Sequence, residues 1–273
     1  MRVPMPASLA DDAEQFRAGR RRPMAARHAA TVVLVRDGDV GLEAYLLRRH
    51  AQMAFAAGMY VFPGGVVDPR DADRSVAWAG PGATLWAERF GCDEATARAL
   101  VCAAVRETFE ESGVLLAGAD PKTVVADTTS PDWEADRLAL IDKSLSFAAL
   151  LDHRRLVLRA DLLGAWAHWI TPEFEPRRYD TRFFVAALPT GQRARDVSGE
   201  ADHAAWMPLA AALAAVDAGD MAMLPPTYVT CRELSAVGNA SAALTASAGR
   251  RITPVMPRLV ADGGVDYLEA DLP

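Results

Sequence analysis

The sequence predicts an α/β fold in which a mixed β-sheet lies between layers of helices. Predicted strands and helices interleave along the chain without a regular βαβ period, which favours a mixed sheet over a purely parallel one. Hydrophobic residues make up 51% of the 273 residues, enough for a sizeable core. One long segment has clear helix start and stop signals and is the most clearly predicted helix of the helical layers.

The first strands are predicted in the segment before residue 66. Residues 30–36 are rich in β-branched side chains and predict a buried strand. Residues 37–39 read Asp-Gly-Asp, a turn signal, so residues 42–49 are expected to pair with the first strand as a hairpin. A third, short strand at residues 59–62 ends at the Pro-Gly-Gly sequence of residues 63–65.

The clearest helix is predicted at residues 93–112. Asp93 is suited to cap its first turn, and Gly113 is suited to end it. Four apolar side chains fall roughly along one face, which we expect to pack on the sheet: Leu100, Ala103, Ala104 and Phe109.

The remaining elements are predicted less sharply. The Gly-, Pro-, Asp- and Trp-rich residues 68–91 predict a long loop with one helical turn. Mainly helical segments are expected at residues 131–152, 208–217 and 226–234, and strands at 163–170 and 182–188. The last 30 or so residues are weakly patterned.

Charge and cysteine content exclude several classes of protein. The 29 Lys and Arg residues against 36 Asp and Glu residues give a net charge of −7, and no region is strongly basic, so a general nucleic-acid binder is not expected. No apolar run approaches the length of a membrane span, and the N-terminus does not look like a secretory signal. Three scattered cysteines, Cys92, Cys102 and Cys231, are expected to be reduced thiols in a cytoplasmic protein.

Three glutamates near the end of the long helix carry the strongest chemical signal. Glu107, Glu110 and Glu111 fall at positions i, i+3 and i+4, so their carboxylates share one side of the helix and repel one another. A hard dication such as Mg²⁺ would relieve that repulsion and could bridge phosphate oxygens and activate water. The alternative is a solvated acidic face. Arg106 is placed to pair with a neighbouring carboxylate and hold it.

These residues resemble the Nudix box, whose signature is G-x5-E-x7-R-E-U-x-E-E-x-G-U with U a bulky apolar residue. Thr108 departs from the signature at an apolar position. Asp71 stands where the family has glutamate, and residues 72–105 stand where the family has seven residues, which implies an insertion of about 27 residues. The sequence Phe-Pro-Gly-Gly at 62–65 resembles the turn that opens the box. The matching residues on the helix are Arg106, Glu107, Glu110, Glu111, Gly113 and Val114.

The resemblance implies a Nudix-type α/β/α sandwich with a mixed sheet, an insertion in the box and a C-terminal helical extension. We accordingly divide the chain into a loosely held N-terminal arm (1–27), a Nudix hydrolase domain (28–218, insertion at about 72–98) and a helical extension (219–273). The resemblance also implies that Glu107, Glu110 and Glu111 bind Mg²⁺ or Mn²⁺, and that the protein hydrolyses a diphosphate in a small-molecule nucleotide.

Residues upstream of the box resemble those of coenzyme A diphosphatases. Arg49, Gly58 and the Phe-Pro-Gly-Gly turn match that pattern by spacing, while His50 and Met53 depart from it. The split box resembles the acyl-coenzyme A diphosphatase branch typified by mammalian Nudix type 19. Residues 169–172, 177–184 and 224–228 also look like that branch. The implied products are 3′,5′-ADP and an (acyl-)4′-phosphopantetheine.

Other functions stay open at this point. A different nucleoside diphosphate derivative, such as NADH or ADP-ribose, is a rival substrate. A nucleotide sensor that has lost turnover is a second rival, although the intact glutamate trio argues against it. The sequence does not decide between a monomer and a homodimer.

The glycines and arginines of these segments are candidates for ligand binding. Gly64 and Gly65 could adopt positive φ and let the backbone approach a ligand, or form an ordinary tight turn. Arg49, or its neighbour Arg48, could contact a phosphate, or both could be solvated arginines of an edge strand. Three arginines bracket Asp180 and read either as a structural ion-pair network or as a phosphate clamp: Arg177, Arg178 and Arg182.

The general base has several candidates. Glu200 lies before a Trp-Met-Pro-Leu segment, a position that in Nudix enzymes often completes the metal site or acts as base, and Glu107 itself is an alternative. Glu173 and Glu175 are rivals, and Glu200 could equally be a solvated loop acid. Two histidines, His168 and His203, are expected to be structural.

Overall fold

A central mixed sheet of eight strands organises the computed structural model, which describes residues 1–6, 9–53 and 56–272. Its main path runs in the order β11-β3-β2-β10-β9-β12, with β4 paired to β3 and β5 to β2. The strands are β2 (Arg27–Gly38), β3 (Gly41–Arg49), β4 (Tyr60–Val61), β5 (Gly64–Val66), β9 (Gly164–Ile170), β10 (Tyr179–Ala187), β11 (Ala201–Pro208) and β12 (Pro254–Val255).

Helices cover both faces of this sheet, as the sequence predicts for an α/β/α sandwich. On one face the helices are α2 (Ala83–Phe90), α3 (Glu94–Ser112), α4 (Pro131–Ile141) and α5 (Phe147–Arg154). On the other they are α6 (Leu209–Ala218), α7 (Pro225–Ser235) and α8 (Ala240–Gly249). Successive side chains of β2 alternate between the two cores, Val32 and Leu34 with the first set and Val33 and Val35 with the second.

The long helix α3 confirms its predicted start and stop. Asp93 accepts a hydrogen bond from the Thr96 amide, and Gly113 ends the helix with φ of +73°. The four apolar side chains expected on its inner face are all fully buried. Since α3 packs against β2 and β5, its last turn is held over the Gly64–Val66 strand.

The segment predicted as a long loop at residues 68–91 is more ordered than expected. It contains a 3-10 turn (Pro69–Ala72), the short strand β6 (Trp78–Ala79) and the full helix α2. Trp86 is 1% exposed, and its ring lies 5.4 Å from that of Phe184 on β10. The inserted residues therefore build part of the core. With β7 (Ala117–Gly118) and β8 (Val157–Arg159), β6 forms a small separate sheet.

Both chain ends differ from the prediction. The expected loose arm at 1–27 includes β1 (Arg2–Pro4) and α1 (Ala10–Arg17), and β1 pairs with β14 (Val265–Glu269) next to β13 (Arg258–Asp262). The segment 219–273, expected to be helical, is helical only through α8 and then forms strands β12, β13 and β14. β13 and β14 form a hairpin around Gly263-Gly264, whereas β1 has its partner, β14, at the opposite end of the chain and so lacks a local sequence signal. The boundaries at residues 27 and 218 stay predictions.

Two further expectations concern the cysteines and membranes. Cys92, Cys102 and Cys231 are free thiols, as expected, and the last two are buried. Among the described residues, the helices are too short or too polar to cross a bilayer.

An ion cluster that includes the buried Arg182 and His168 ties β9, β10 and β2 together. Asp180 accepts from Arg182 and contacts His168 Nε2, and His28 Nδ1 lies 3.2 Å from its other oxygen. Burial alone would raise the pKa of Asp180, but the hydrogen bonds from His168 and Arg182 and the charge of Arg182 lower it below its usual range. This favours the structural interpretation for Arg182.

Asp180→Asn should lower the free energy of unfolding at pH 7 by roughly 3 kcal/mol, because Arg182 is then buried without a counter-charge. Since the folded-state pKa of Asp180 is depressed, its stabilisation is present above the unfolded pKa of about 3.9 and is lost as pH falls. In urea melts at pH 7, 5 and 3.5, the free energy of unfolding should fall less with decreasing pH for this variant than for wild type. The exposed Asp152→Asn variant is the control, and parallel declines in both variants would contradict the assignment.

Candidate active site

A cleft of about 810 Å³ opens at the end of α3 and is lined by the three glutamates Glu107, Glu110 and Glu111. Its floor comes from β2, β5 and β10, and its other walls come from the α4–α5 connection and the loop before β11. Arg49, Gly64, Gly65, Arg106 and Glu200 line it as well. The candidate site residues named from the sequence therefore share one cavity.

Arg106 organises the carboxylates. Its Nη1 donates to Glu107 Oε1 at 2.7 Å and to Glu110 Oε1 at 3.1 Å, and Nη2 donates to the Val66 carbonyl at 3.2 Å. The residue is 8% exposed, and so this guanidinium is almost removed from water. The pairing expected from the sequence is confirmed, and it fixes two of the three glutamates.

Asp71, which stands where the Nudix box has a glutamate, holds Arg106 from the other side. Arg106 Nε and Nη2 donate to its two oxygens at 2.9 and 2.8 Å, a bidentate contact. Asp71 is 3% exposed and also accepts from the Asp68 amide, where it completes the capping box of the 3-10 turn. Asp71, at the first acidic position of the split box, thus contributes to the site by holding Arg106 in place.

The third glutamate is held by the backbone. Glu111 Oε2 accepts from the Gly64 amide at 2.8 Å, and the residue is 9% exposed. Gly64 and Gly65 do not adopt positive φ, contrary to the expectation, because they lie in β5 paired with β2. Space is the reason for glycine at both positions. A Cβ on Gly65 would lie 2.5 Å from the Glu107 carboxylate, and one on Gly64 would lie 2.5 Å from the Ala30 carbonyl oxygen.

Burial and mutual repulsion disfavour the charged form of the three glutamates, Glu107, Glu110 and Glu111. Burial raises the pKa of Glu107 to about 7, with Arg106 opposing the shift and Glu110 adding to it. Burial and then the charge of Glu107 raise the pKa of Glu111 well above its usual value, and burial raises that of Glu110. Such a group of acids is stabilised in the charged form by added positive charge.

Among the described residues, no three Asp, Glu, His or Cys side chains stand in a ready-made coordinating arrangement. Glu107 and Glu110 face Arg106 Nη1, and Glu111 faces the Gly64 amide. The donor set nevertheless fits a hard dication, since it consists of carboxylate oxygens from one helix face directed into a cleft with room for ion and ligand.

Glu200 faces the trio across the cleft. Its Oε2 lies 3.0 Å from Arg49 Nη2, and the charges of both residues act on Glu111. The rival base candidates Glu173 and Glu175 and the histidines His168 and His203 do not line the cleft. Arg48 is ion-paired with Asp202 at 2.6 Å and is also outside the lining.

The arginine cluster around Asp180 divides into separate roles. Arg182 is 3% exposed in the ion cluster, and Arg178 donates to the carbonyls of Thr171 and Met24. Only Arg177 of the three lines the cleft.

Sequence reasoning missed two parts of the lining. One is the α4–α5 connection, which adds an apolar wall and a lysine: Leu140, Ile141, Lys143, Leu145 and Phe147. The other is the start of β2 and β10, with Arg27, Tyr179 and Thr181. For the α4–α5 connection, the sequence offered only a short run of apolar residues on each side of a helix break. The start of β2 and β10 could not be found locally, because the two strands that pair there are distant in sequence.

The two glycines give a prediction that separates activity from stability. Gly65→Ala should reduce turnover about 100-fold, because it displaces the flexible Glu107 carboxylate by an ångström or more while leaving the core intact. Gly64→Ala should instead lower the melting temperature, because its Cβ meets backbone atoms that cannot move away. Thermal melts and initial rates on both variants test this; a large loss of stability in Gly65→Ala with unchanged specific activity would contradict it.

The fold and this site together define a Nudix hydrolase. The crystal structure of a Nudix hydrolase from Alicyclobacillus acidocaldarius has the same fold, with a TM-score of 0.69 and 31% sequence identity over 81% of this chain and 96% of that chain. The family model for the NUDT19 Nudix domain matches residues 93–234, and the chain belongs to that family. The resemblance noted from the sequence is thereby confirmed.

Two curated relatives illustrate the relationship. The putative nudix hydrolase 7 of Caenorhabditis elegans is 28% identical over 211 residues, 77% of this chain and 61% of that protein. The acyl-coenzyme A diphosphatase NUDT19 of Homo sapiens is 27% identical over 272 residues, 85% of this chain and 72% of that protein. The chain thus spans less than two thirds of the worm protein.

Proposed function

We propose that this Nudix hydrolase cleaves the diphosphate of coenzyme A or an acyl-coenzyme A in a reaction that depends on Mg²⁺ or Mn²⁺. The observation that carries the proposal is the convergence of three buried carboxylates and Arg106 in one cleft. Nudix hydrolases generally use divalent metal ions, and carboxylate oxygens on one helix face are the kind of ligand that such an ion prefers.

Glu107, Glu110 and Glu111 would hold the ion. When bound, it would supply charge to the diphosphate oxygens and lower the pKa of a water molecule. Binding requires Glu107 and Glu110 to turn part of their oxygens from Arg106 Nη1 toward the cleft. Asp71 keeps Arg106 in place during that exchange, because its two hydrogen bonds are on the guanidinium edge that faces away from the glutamates.

Two further side chains are assigned roles in the reaction. Glu200 would accept the proton of the attacking water, and its 57% exposed side chain can move toward that water. Arg49, which holds Glu200 at 3.0 Å, would also neutralise a diphosphate oxygen. Attack on phosphorus breaks one P–O bond of the anhydride, and the two phosphomonoester products are 3′,5′-ADP and the (acyl-)4′-phosphopantetheine.

The choice of substrate is supported by the family relationship. Curated relatives at 25–27% identity from human, chicken and Xenopus laevis are acyl-coenzyme A diphosphatases. Arg49, Gly64 and Gly65, which resemble the coenzyme A pattern in the sequence, all line the cleft.

Glu200→Gln should lower kcat about 100-fold with little change in KM, the usual scale for losing a general base. The rate should be measured against pH with coenzyme A as substrate. Glu173→Gln, an exposed acid outside the cleft, is the matched control. Equal rates for wild type and Glu200→Gln would assign proton transfer to another group, with Glu107 the remaining candidate.

A substrate panel tests the proposed activity. Purified protein is incubated with Mg²⁺ or Mn²⁺ and coenzyme A, acetyl- and long-chain acyl-coenzyme A, NADH and ADP-ribose, and the products are identified by mass. We expect 3′,5′-ADP from the coenzyme A substrates at the highest kcat/KM and none in EDTA. Preferential turnover of NADH or ADP-ribose would replace the substrate assignment, and tight binding without any hydrolysis would favour a nucleotide sensor.

A further inference from the structure

The positive side chains that line the cleft differ in whether they have partners. Those near the glutamates and the 3-10 turn are ion-paired within the protein: Arg49 with Glu200 (3.0 Å), Arg70 with Asp68 (3.1 Å), Lys143 with Asp68 (3.9 Å), and Arg106 with three acids. Arg27 and Arg177 are different. Among residues 1–6, 9–53 and 56–272, neither guanidinium has a carboxylate or a hydrogen-bond acceptor as partner.

Strand pairing brings these two arginines together. Arg27 begins β2, and its amide donates to the Arg178 carbonyl at 2.9 Å, next to Arg177. The two strands run parallel with Arg27 beside Tyr179. Side chains at alternate positions of each strand form the cleft floor that extends from the arginines to the glutamates: Ala29 and Thr31 on β2, and Tyr179 and Thr181 on β10. The two arginines and the glutamate trio are therefore parts of one continuous cavity.

Two guanidinium groups without acid partners make this end of the cavity locally positive, although the protein as a whole carries a charge of −7, and a bound anion would relieve their mutual repulsion. A phosphomonoester suits the pair best among common anions. It carries a charge of about −1.5 to −2 at pH 7 and offers three acceptor oxygens, enough for one bidentate contact to each arginine. The diphosphate itself belongs beside Glu107, Glu110 and Glu111, so this second anion is another group of the same ligand.

We propose that Arg27 and Arg177 form a subsite for a phosphomonoester on the nucleotide ribose, separate from the diphosphate. This inference deepens the proposed function and rests on it. The ligand class is an adenine nucleotide that carries a 3′-phosphate in addition to its 5′-phosphate. The subsite selects ligands that carry the 3′-phosphate, and the residues around Arg106 carry out bond cleavage. It also assigns Arg177 of the arginine cluster a role that Arg178 and Arg182 do not share.

Equilibrium binding of the nucleotide product tests this without turnover. Calorimetry in the presence of Mg²⁺ measures the Kd of adenosine 3′,5′-bisphosphate, adenosine 2′,5′-bisphosphate and adenosine 5′-monophosphate. We expect wild type to bind the 3′,5′-bisphosphate at least about tenfold more tightly than the monophosphate, which corresponds to about 1.4 kcal/mol. Arg27→Ala and Arg177→Ala should each remove most of that preference and change the monophosphate Kd less than about twofold.

Three comparisons make the result decisive. Arg193→Ala removes an exposed arginine outside the cleft and should leave all three Kd values unchanged. Arg27→Lys retains the charge and should recover part of the preference. Circular-dichroism melts confirm that each variant is folded, as expected for exposed side chains.

Several outcomes would overturn the proposal: equal losses for the monophosphate and the 3′,5′-bisphosphate, no wild-type preference, or tighter binding of the 2′,5′-bisphosphate. Failure of the proposed function would look different. Wild type would then not hydrolyse coenzyme A, whatever its binding preference. If it does hydrolyse coenzyme A, the ratio of kcat/KM for coenzyme A over 3′-dephospho-coenzyme A should fall about tenfold in each alanine variant.

Discussion

Glu111→Gln should reduce metal-dependent turnover by a factor on the order of 1,000 while preserving the fold. Glutamine keeps an oxygen that can accept the Gly64 amide hydrogen bond at Glu111 Oε2, so the contact between α3 and β5 survives. What is lost is the negative charge of a side chain whose pKa burial raises well above its usual value, so that its charged form depends on added positive charge. Loss of one group that stabilises transition-state charge commonly costs 100- to 1,000-fold.

Steady-state rates over a Mg²⁺ or Mn²⁺ titration measure this effect. Glu94→Gln, at the exposed start of the same helix, should have wild-type activity. We expect Glu111→Gln to melt at or above the wild-type temperature, because burial of an uncharged amide costs less than burial of a carboxylate. Wild-type turnover in Glu111→Gln would show that this glutamate is not part of the catalytic site.

Arg106→Ala should be the most damaging single change, because it affects stability and activity together. Asp71, which is 3% exposed, would lose two hydrogen bonds from Arg106, and Glu107 and Glu110 would lose the guanidinium between them. Removing one partner of a buried ion pair costs about 3–5 kcal/mol. For a chain of this size we expect a fall in melting temperature of roughly 10 °C, with turnover reduced by a factor on the order of 1,000 because Glu107 and Glu110 are no longer positioned.

A second substitution separates the two effects. In Arg106→Ala/Asp71→Asn the buried charge of Asp71 is gone, so part of the lost stability should return while activity stays low. Arg74→Ala, an exposed arginine on the same connection, should change the free energy of unfolding by less than about 0.5 kcal/mol. Recovery of activity along with stability in the double variant would mean that Arg106 has only a structural role.

The local parts of this site could be predicted from the sequence because their signals are local. The spacing of Glu107, Glu110 and Glu111 fixes their common helix face, and Asp93 and Gly113 fix where that helix begins and ends. The hairpin of β2 and β3 follows from β-branched runs separated by a turn. These features depend on contacts within about ten residues, which hydrophobic periodicity and capping chemistry describe well.

Other parts depend on pairing between distant segments. Asp71 and Arg106 are 35 residues apart, and the insertion between them obscured the contact that the box normally signals by short spacing. Arg27 was assigned to a loose arm because β2 begins three residues earlier than predicted and its partner, β10, is about 150 residues away. The pairing of β1 with β14 joins the two ends of the chain, which no local pattern could indicate, whereas β13 and β14 form a local hairpin.

Direct titration with Mn²⁺ tests the central claim, that the acidic face at the end of α3 captures a divalent cation. Electron paramagnetic resonance follows free Mn²⁺ as wild type, Glu107→Gln/Glu111→Gln and Glu94→Gln are added. We expect wild type and Glu94→Gln to bind Mn²⁺ with the same Kd and the double variant to bind at least about tenfold more weakly. Identical Mn²⁺ binding in the double variant and wild type would contradict the account.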